Sequence, residues 1–103
     1  MKLNNVINRI KSINSNIKFI GEFDENNLKT GYWEFYYRNG KIHSKGTFKN
    51  GKQEGYWEEY YNGNIDKKGY YKNGKRHGYW ERYYSYGKLM WKGNYNNGIY
   101  EIK

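Results

Sequence analysis

The sequence predicts an all-β repeat protein, an antiparallel sheet of about seven strands preceded by a short amphipathic helix. Three observations support this prediction: a segment that recurs three times, Asn-Gly pairs at regular intervals, and a glycine at the same place in each copy. The copies lie near residues 31–54, 55–77 and 78–101, and a partial copy occupies 17–30. Self-similarity at a period of about 20–50 residues indicates units that stack into one domain. We therefore divide the chain into an N-terminal helix or cap (residues 1–16) and a repeat sheet (17–103).

The N-terminal helix is predicted from apolar residues that return every three or four positions. A helix this short is only marginally stable alone, so it needs a surface to pack against. That surface is either an end of the sheet or an anionic membrane. The apolar stripe consists of Leu3, Val6, Ile7, Ile10 and Ile13, and the other side carries Lys2, Asn5, Arg9 and Lys11.

Four matching glycines define the second strand of each repeat. Each has an aliphatic residue four positions before it and an aromatic residue two positions after it. Together with the three Gly-Tyr-Trp strands, this pattern predicts seven strands. The glycines are Gly21, Gly46, Gly69 and Gly93.

The turns predict how the strands pair, because Asn-Gly favours the type I′ turn of a two-residue hairpin loop. A two-residue loop at Asn39-Gly40 places Tyr37 opposite Ile42 and Glu34 opposite Lys45, and the Tyr86-Gly87 turn repeats this register. The middle copy is one residue shorter, and a three-residue loop, Asn62–Asn64, restores the same pairs. Each indole is then expected to cover a glycine across the strand pair. The predicted structural pairs are Trp33 with Gly46, Trp57 with Gly69, and Trp80 with Gly93.

Alternation along the strands sorts the side chains onto two faces. The apolar face contains Trp33, Phe35, Tyr37, Ile42, Phe48, Trp57, Tyr61, Ile65, Tyr71, Trp80, Tyr84, Leu89, Trp91 and Tyr95. The other face carries charged residues and two tyrosine columns, namely Tyr32, Tyr56 and Tyr79, and Tyr36, Tyr60 and Tyr83. A helix of about 12 residues is about 18 Å long and cannot cover a sheet about 29 Å wide. Curling of the sheet, a second copy of the chain or a partner must therefore cover the rest of the apolar face.

The repeated pattern Gly-Tyr-Trp-Glu-x-Tyr-Tyr followed by a glycine turn resembles the MORN-repeat superfamily, most closely the repeats of YwqK-like antitoxin-component proteins. The resemblance spans residues 17–100, and one extra residue within 24–27 departs from it. It implies a single-layer antiparallel β-meander that twists into a groove. It also implies a binding scaffold, a membrane-associated module or an accessory to an enzyme. The matching positions are Gly31, Trp33, Tyr36 and Gly40, then Gly55, Trp57, Tyr60 and Gly63, then Gly78, Trp80, Tyr83 and Gly87.

A column of glutamates in the repeats has two explanations. Its members lie two strands apart, about 9.6 Å, near the upper limit for the paired carboxylates of inverting glycosidases. Cross-strand pairing with lysine explains the same column without catalysis. The two histidines, His43 and His77, have no clustered ligands around them, so we predict no metal, no cofactor and no enzymatic activity. The column is Glu34, Glu58 and Glu81, and the facing lysines are Lys45, Lys68 and Lys92.

Composition bounds the remaining possibilities. The 103 residues carry a net charge of +9, which suits anionic partners but also serves solubility. There is no cysteine, and no apolar run approaches the roughly 18 residues of a membrane span. We therefore expect a cytoplasmic protein.

From these features we expect an interaction module that binds another protein through its aromatic sheet surface, as an antitoxin-like or phage- or virus-encoded inhibitor. The alternative is a basic protein that binds RNA or a ribonucleoprotein by stacking bases on tyrosine. A third possibility is an adaptor on anionic lipid, and a homodimer through the apolar face is a further option. The expected binding residues are Tyr32, Tyr36, Tyr56, Tyr60, Tyr79, Tyr83, Lys45, Lys68 and Lys92.

Overall fold

The structure, a computed structural model, describes residues 7–11 and 17–102. In this part of the chain, nine strands form a single antiparallel sheet in sequence order, which confirms the predicted β-meander. The strands are β1 (Ile7–Lys11), β2 (Ile17–Phe23), β3 (Lys29–Tyr37), β4 (Ile42–Lys49), β5 (Lys52–Tyr61), β6 (Asn64–Lys72), β7 (Lys75–Tyr83), β8 (Leu89–Asn96) and β9 (Ile99–Glu101). Strands β2 to β8 are the seven predicted from the sequence. The described residues contain no helix with the length and apolar character needed to cross a membrane.

Of residues 1–16, for which the sequence predicts a helix, the structure describes residues 7–11, and these form strand β1. Residues 7–11 pair with β2, so that Ile7 lies opposite Phe23 and Ile10 opposite Ile20. β-Branched residues such as these isoleucines favour strands over helices, and β2 would otherwise present an unpaired edge. The remainder of the predicted helix lies outside the described residues.

Two hairpin loops have the reverse of their predicted lengths: the loop at Asn62-Gly63 has two residues, and the loop at Asn39-Gly40 has three. At Asn62-Gly63 both residues have positive φ, 51° and 84°, as a two-residue type I′ loop requires. At Asn39-Gly40 only the glycine has positive φ. There the Gly40 N–H donates to the Tyr37 carbonyl and the Tyr37 N–H donates to the Lys41 carbonyl, which closes a three-residue loop. The Tyr86-Gly87 loop has the same hydrogen bonds.

The register is therefore as predicted near the indoles and shifted near the loops. Trp33 lies opposite Gly46 and Glu34 opposite Lys45, and the equivalent pairs in the other two copies are also confirmed. Beyond them a bulge intervenes, and Tyr36 rather than Tyr37 lies opposite Ile42. The same correction applies to the predicted pairs of Tyr61 with Ile65 and of Tyr84 with Leu89.

The core consists of the three repeat tryptophans, whose exposed fractions are 0%, 1% and 1%. Each indole covers a glycine of the preceding strand, not of the following strand as predicted. A Cβ added to Gly46 would overlap the Trp57 ring. A Cβ added to the equivalent glycine of the other copies would overlap the equivalent indole in the same way. The pairs are Gly21 with Trp33, Gly46 with Trp57, and Gly69 with Trp80, while Gly93 lies under Tyr100.

A β-bulge in each Gly-Tyr-Trp strand accompanies this arrangement. Between β4 and β5 the pairing jumps from Gly46–Trp57 to Thr47–Glu54, and Gly55 inside the jump has a φ of 81°. Glycine adopts this conformation without steric cost, which explains the first glycine of the motif. The Trp57 indole N–H donates to the Thr47 carbonyl at 3.0 Å beside the bulge. The indoles of Trp33 and Trp80 donate to the equivalent carbonyls of Glu22 and Tyr70.

Neighbouring aromatic rings bury the indoles within a single layer. The ring two positions after each covered glycine packs edge-on against the indole, as in Phe48 against Trp57 with centroids 5.1 Å apart and planes at 90°. Phe23 packs in the same way on Trp33, and Tyr71 on Trp80. Such edge-to-face pairs are favourable beyond the area they bury. The three indoles are therefore buried within one copy of the chain.

Candidate binding surface

The face opposite the indoles carries three repeated clusters, here named the tyrosine–glutamate triads. In the first, Tyr32 and Tyr36 donate their hydroxyls to the two carboxylate oxygens of Glu34, at 2.8 and 2.5 Å. Residues at i, i+2 and i+4 of a strand point to one face, which explains why these three side chains meet. The other triads are Tyr56–Glu58–Tyr60 and Tyr79–Glu81–Tyr83.

The triads shift the pKa values of their members in opposite directions. Hydrogen bonds from Tyr36 and Tyr32 hold the pKa of Glu34 below its ordinary value. Burial tends to raise the pKa of Glu58, but the bonds from Tyr60 and Tyr56 outweigh it and the net shift is downward. Burial and the bond to Glu58 raise the pKa of Tyr56 and Tyr60. The glutamates therefore stay ionised, which is the opposite of what a catalytic acid needs.

Lysines connect one triad to the next. The Lys45 ammonium lies 3.6 Å from Glu58 and 5.8 Å from the centre of the Tyr60 ring. Lys68 has the same relation to Glu81, at 3.8 Å. Lys45 also lies opposite Glu34 in the ladder, as predicted, but its ion pair runs to the following strand. The lysines and glutamates of this face therefore offset each other's charge.

Three open clefts lie in a row on this face, each with a glycine at its bottom and a lysine at its side. Two exposed tyrosines bound each of the first two clefts. Only Tyr79 bounds the third in this way, because the Tyr100 ring covers Gly93 from the indole face. The first cleft, of 420 Å³, is lined by Tyr32, Lys45, Gly46, Thr47, Tyr56 and Glu58. The second, of 260 Å³, is lined by Tyr56, Lys68, Gly69, Tyr70, Tyr79 and Glu81. The third, of 480 Å³, is lined by Tyr79, Lys92, Gly93, Asn94, Tyr100, Glu101 and Ile102.

The clefts bring together six of the nine predicted binding residues. The tyrosines of one column, Tyr32, Tyr56 and Tyr79, are 53%, 42% and 41% exposed and form the walls. The other column is half-buried and holds the glutamates in place. The lysines Lys45, Lys68 and Lys92 all line clefts.

Several cleft residues were missed from the sequence. Tyr70, Thr47 and Asn94 each follow a glycine that lies at the bottom of a cleft, and Glu101 lies at the end of the row. The sequence feature that could have identified them is the alternation of side chains between the two faces of a strand. If an indole covers one side of a glycine, the residues on either side of that glycine in the chain must point to the opposite face.

The histidines take part in hydrogen bonds at separate places. His43 Nδ1 lies 2.9 Å from the Ser44 hydroxyl, and His77 Nδ1 accepts the Asn97 N–H at 3.2 Å. Within residues 7–11 and 17–102, no group of three or more His, Cys, Asp or Glu could hold a metal ion.

No protein-family model, no curated protein and no solved structure matches this chain.

The triads predict a characteristic response to pH. Replacing Glu58 with Gln is expected to return the pKa of Tyr56 and Tyr60 toward the ordinary value of about 10, measured as tyrosinate absorbance at 295 nm. A raised tyrosine pKa stabilises the fold below the ordinary value, and that stabilisation disappears as pH rises through the folded-state pKa. The lowered glutamate pKa values contribute stability above about pH 4.3, which disappears as pH falls. Glu101→Gln serves as control, and identical titrations of the two variants would contradict the triads.

Proposed function

We propose that this chain is a non-enzymatic, MORN-like interaction module that binds another protein through the three clefts. The observation that supports the proposal is the row itself: two clefts bounded by pairs of exposed tyrosines, followed by a third bounded by Tyr79. Tyrosine is among the residues that contribute most to protein–protein interfaces, because its ring buries a large area at a low entropic cost.

The charge of the cleft surface favours a protein over a nucleic acid. Its three lysines are matched by three triad glutamates, and the ion pairs of Lys45 and Lys68 run to two of them. A phosphate backbone approaching this face would meet ionised carboxylates beside every lysine, which weakens its attraction. A protein partner requires no net positive charge and gains most from the aromatic walls.

An inhibitor or antitoxin-like role is consistent with this design. A small repeat sheet that presents a rigid row of clefts binds without a large rearrangement, and preorganisation of this kind favours tight complexes. The resemblance to antitoxin-component repeats points in the same direction and forms part of the proposal.

The test is affinity capture from the native organism with two matched variants. In one, Tyr32, Tyr56 and Tyr79 are all replaced by Ser, which removes the cleft walls. In the other, Tyr61, Tyr84 and Tyr86, which are exposed but lie outside the clefts, are replaced by Ser. A partner retained by the wild type and the second variant but lost from the first is expected. Retention of every captured protein by both variants, with both folded by circular dichroism, would rule out the clefts as the binding surface.

A second candidate function, binding of a nucleic acid phosphate backbone, rests on a different surface. Two neighbouring hairpins have the sequence Lys-Asn-Gly-Lys, with Lys49 opposite Lys52 and Lys72 opposite Lys75. Like charges directly opposite each other destabilise a hairpin. The turn does not require them, because the third hairpin of this edge has Asn96 and Ile99 at the same positions.

These lysines are available to an anionic partner. Among the ion pairs within residues 7–11 and 17–102, none involves any of the four. A depression of 540 Å³ between the two hairpin tips is lined by Lys49, Lys52 and Lys72 together with Asn50, Glu54 and Asn73.

Salt dependence tests this second function. If the four lysines contact phosphates of single-stranded RNA, changing all of them to Gln should reduce the slope of log affinity against log salt by about 2.8. The control removes four exposed charges elsewhere, at Lys18, Arg38, Lys41 and Lys88. Equal slopes for the two variants, or no RNA binding by the wild type at low salt, would eliminate the second function.

A further inference from the structure

We propose that His77 makes the last hairpin of the sheet sensitive to pH, because its ring must be neutral to hold that hairpin against β7. The hairpin consists of β8, the Asn97-Gly98 turn and β9. As pH falls from about 8 to about 5, the range in which histidine gains its proton, the turn is released and β9 separates more readily from β8. This inference does not depend on which partner the sheet binds.

Two backbone N–H groups hold the turn of the last hairpin against β7. The Gly98 N–H donates to the Arg76 carbonyl at 2.7 Å, and this bond does not respond to pH. The Asn97 N–H donates to Nδ1 of the half-buried His77 at 3.2 Å. One of the two bonds therefore depends on a titratable side chain.

The preceding hairpin is held by the same bond with a different acceptor. There the Asn73 N–H donates to the Glu54 carboxylate at 3.0 Å. Glu54 and His77 occupy equivalent positions, each directly before the glycine of a Gly-Tyr-Trp segment. Carboxylates are ordinarily ionised above about pH 5, whereas histidine changes its charge between about pH 5 and 8. The substitution of histidine for glutamate therefore confines the pH response to the last hairpin.

The bond from Asn97 requires the neutral form of the ring. A backbone N–H can only donate, and Nδ1 can accept only while it carries no proton. In the protonated ring both nitrogens are donors, so two N–H groups would face each other across the 3.2 Å between Asn97 N and His77 Nδ1. Protonation therefore replaces an attractive contact with a repulsive one.

The other histidine does not have this property. His43 Nδ1 lies 2.9 Å from the Ser44 hydroxyl. A hydroxyl both donates and accepts, so it can accept from the protonated ring after turning its own hydrogen away. His43 therefore keeps its hydrogen bond in either charge state and provides an internal control.

The groups around His77 leave it as the residue that responds in this pH range. Alternation places it on the face opposite to Arg76, whose guanidinium lies over the Trp80 ring at 4.4 Å. Tyrosine, lysine and glutamate ordinarily keep one charge between about pH 5 and 8. The nearest charged or titratable groups on the face of His77, by strand register and alternation, are Tyr70 and Lys72 of β6, Lys75 and Tyr79 of β7, Lys92 of β8 and Glu101 of β9.

The loss of one bond matters because β9 has few others. The strand has three residues, all exposed, and pairs with β8 at three positions. Its Tyr100 covers Gly93, and residues 100–102 line the third cleft. The residues that line the first two clefts belong to β3 to β7. Acidification is therefore expected to change the third cleft and leave the first two intact.

The test is a pH titration of the full chain from about pH 8 to about pH 5, followed by amide NMR. The Asn97 N–H resonance is expected to move in step with the ring protons of His77, while the Asn73 N–H resonance stays in place. Hydrogen exchange of residues 99–101 is corrected for the intrinsic effect of pH on exchange. It should accelerate about two- to tenfold, the effect of one lost hydrogen bond.

Three variants connect the response to the ring of His77. His77→Glu supplies the acceptor of the preceding hairpin and should abolish the response while holding β9 throughout the titration. In His77→Ala, residues 99–101 should exchange at every pH as fast as they do in the wild type at the acidic end. His43→Ala should respond as the wild type does. A response that persists in His77→Glu, or an Asn97 resonance that does not follow His77 in the wild type, would overturn the inference.

Discussion

Replacing Trp57 with Ala is expected to lower the free energy of unfolding by about 3–5 kcal/mol, the range for loss of a large buried aromatic side chain. The total free energy of unfolding of a small domain is about 5–15 kcal/mol, so this loss is a large part of it. Only three large side chains in the described residues are fully buried, and Trp57 is the central one. Its loss leaves Gly46 uncovered, removes the indole donor of the Thr47 carbonyl, and removes one of the rings that pack against Phe48.

Urea unfolding followed by far-ultraviolet circular dichroism measures this effect. Trp91→Ala is the matched control, because Trp91 is partly exposed and packs against Tyr95 and Tyr100 near the last strand. The control is expected to lose less than half as much stability as Trp57→Ala. Equal losses for the two variants would show that the three indoles are not the main source of stability.

The repeat architecture makes the central position the most sensitive. In a repeat protein each unit is stabilised by its neighbours, so a defect in the middle separates two parts that are each too small to fold well. Strands β1 to β4 and β6 to β9 are connected in the sheet only through β5. Trp57 lies in β5, so its replacement weakens the contact between both parts.

Much of the fold was predictable because the same local rules recur in every copy. The 23- to 24-residue period, the turn glycines and the alternation of side chains predicted β2 to β8 and the pairs near the indoles. The loop lengths were not predictable from Asn-Gly alone, because the same dipeptide occurs in a two-residue loop at Asn62-Gly63 and in a three-residue loop at Asn39-Gly40. The adjoining bulge compensates for the difference.

The direction of the indoles was the main error, and it has a physical reason. Gly46 lies opposite both Trp33 and Trp57, because β4 has a neighbour on each side. Strand register alone cannot decide which ring covers it. The bulge at Gly55 decides it, since the Thr47 carbonyl beside the bulge accepts the Trp57 N–H. Gly21 was the clue in the sequence, because the predicted pairing left it without an indole.

For the candidate binding surface, the alternation of side chains along each strand predicted which residues share a face but not how they interact. Tyr32, Glu34 and Tyr36 were placed together correctly, yet the hydrogen bonds that join them depend on side-chain rotamers that a sequence pattern does not specify. The clefts depend on the same rotamers, as well as on the indole direction that leaves one side of each glycine open. The tyrosine and lysine positions were therefore predicted, while the shape that joins them was not.

Replacing Gly46 with Ala is expected to cost about 3 kcal/mol or more, at the upper end of the range for overpacking a core. The added Cβ would overlap three atoms of the Trp57 ring, and rigid neighbours prevent that ring from moving away. Gly40→Ala is the control. Nothing lies within 4 Å of its Cβ position, so it carries only the cost of a positive φ of 90°, about 1–2 kcal/mol.

A double-mutant cycle identifies which indole covers Gly46. In a Trp57→Leu background the ring is gone, so Gly46→Ala should cost much less, with a coupling energy of about 2 kcal/mol. In a Trp33→Leu background it should cost as much as in the wild type, because Trp33 covers Gly21 instead. All variants are measured in the same concentration of a stabilising osmolyte, so that the double variants remain folded. Coupling to Trp33 and not to Trp57 would mean that each indole covers the glycine of the following strand, contrary to the structure.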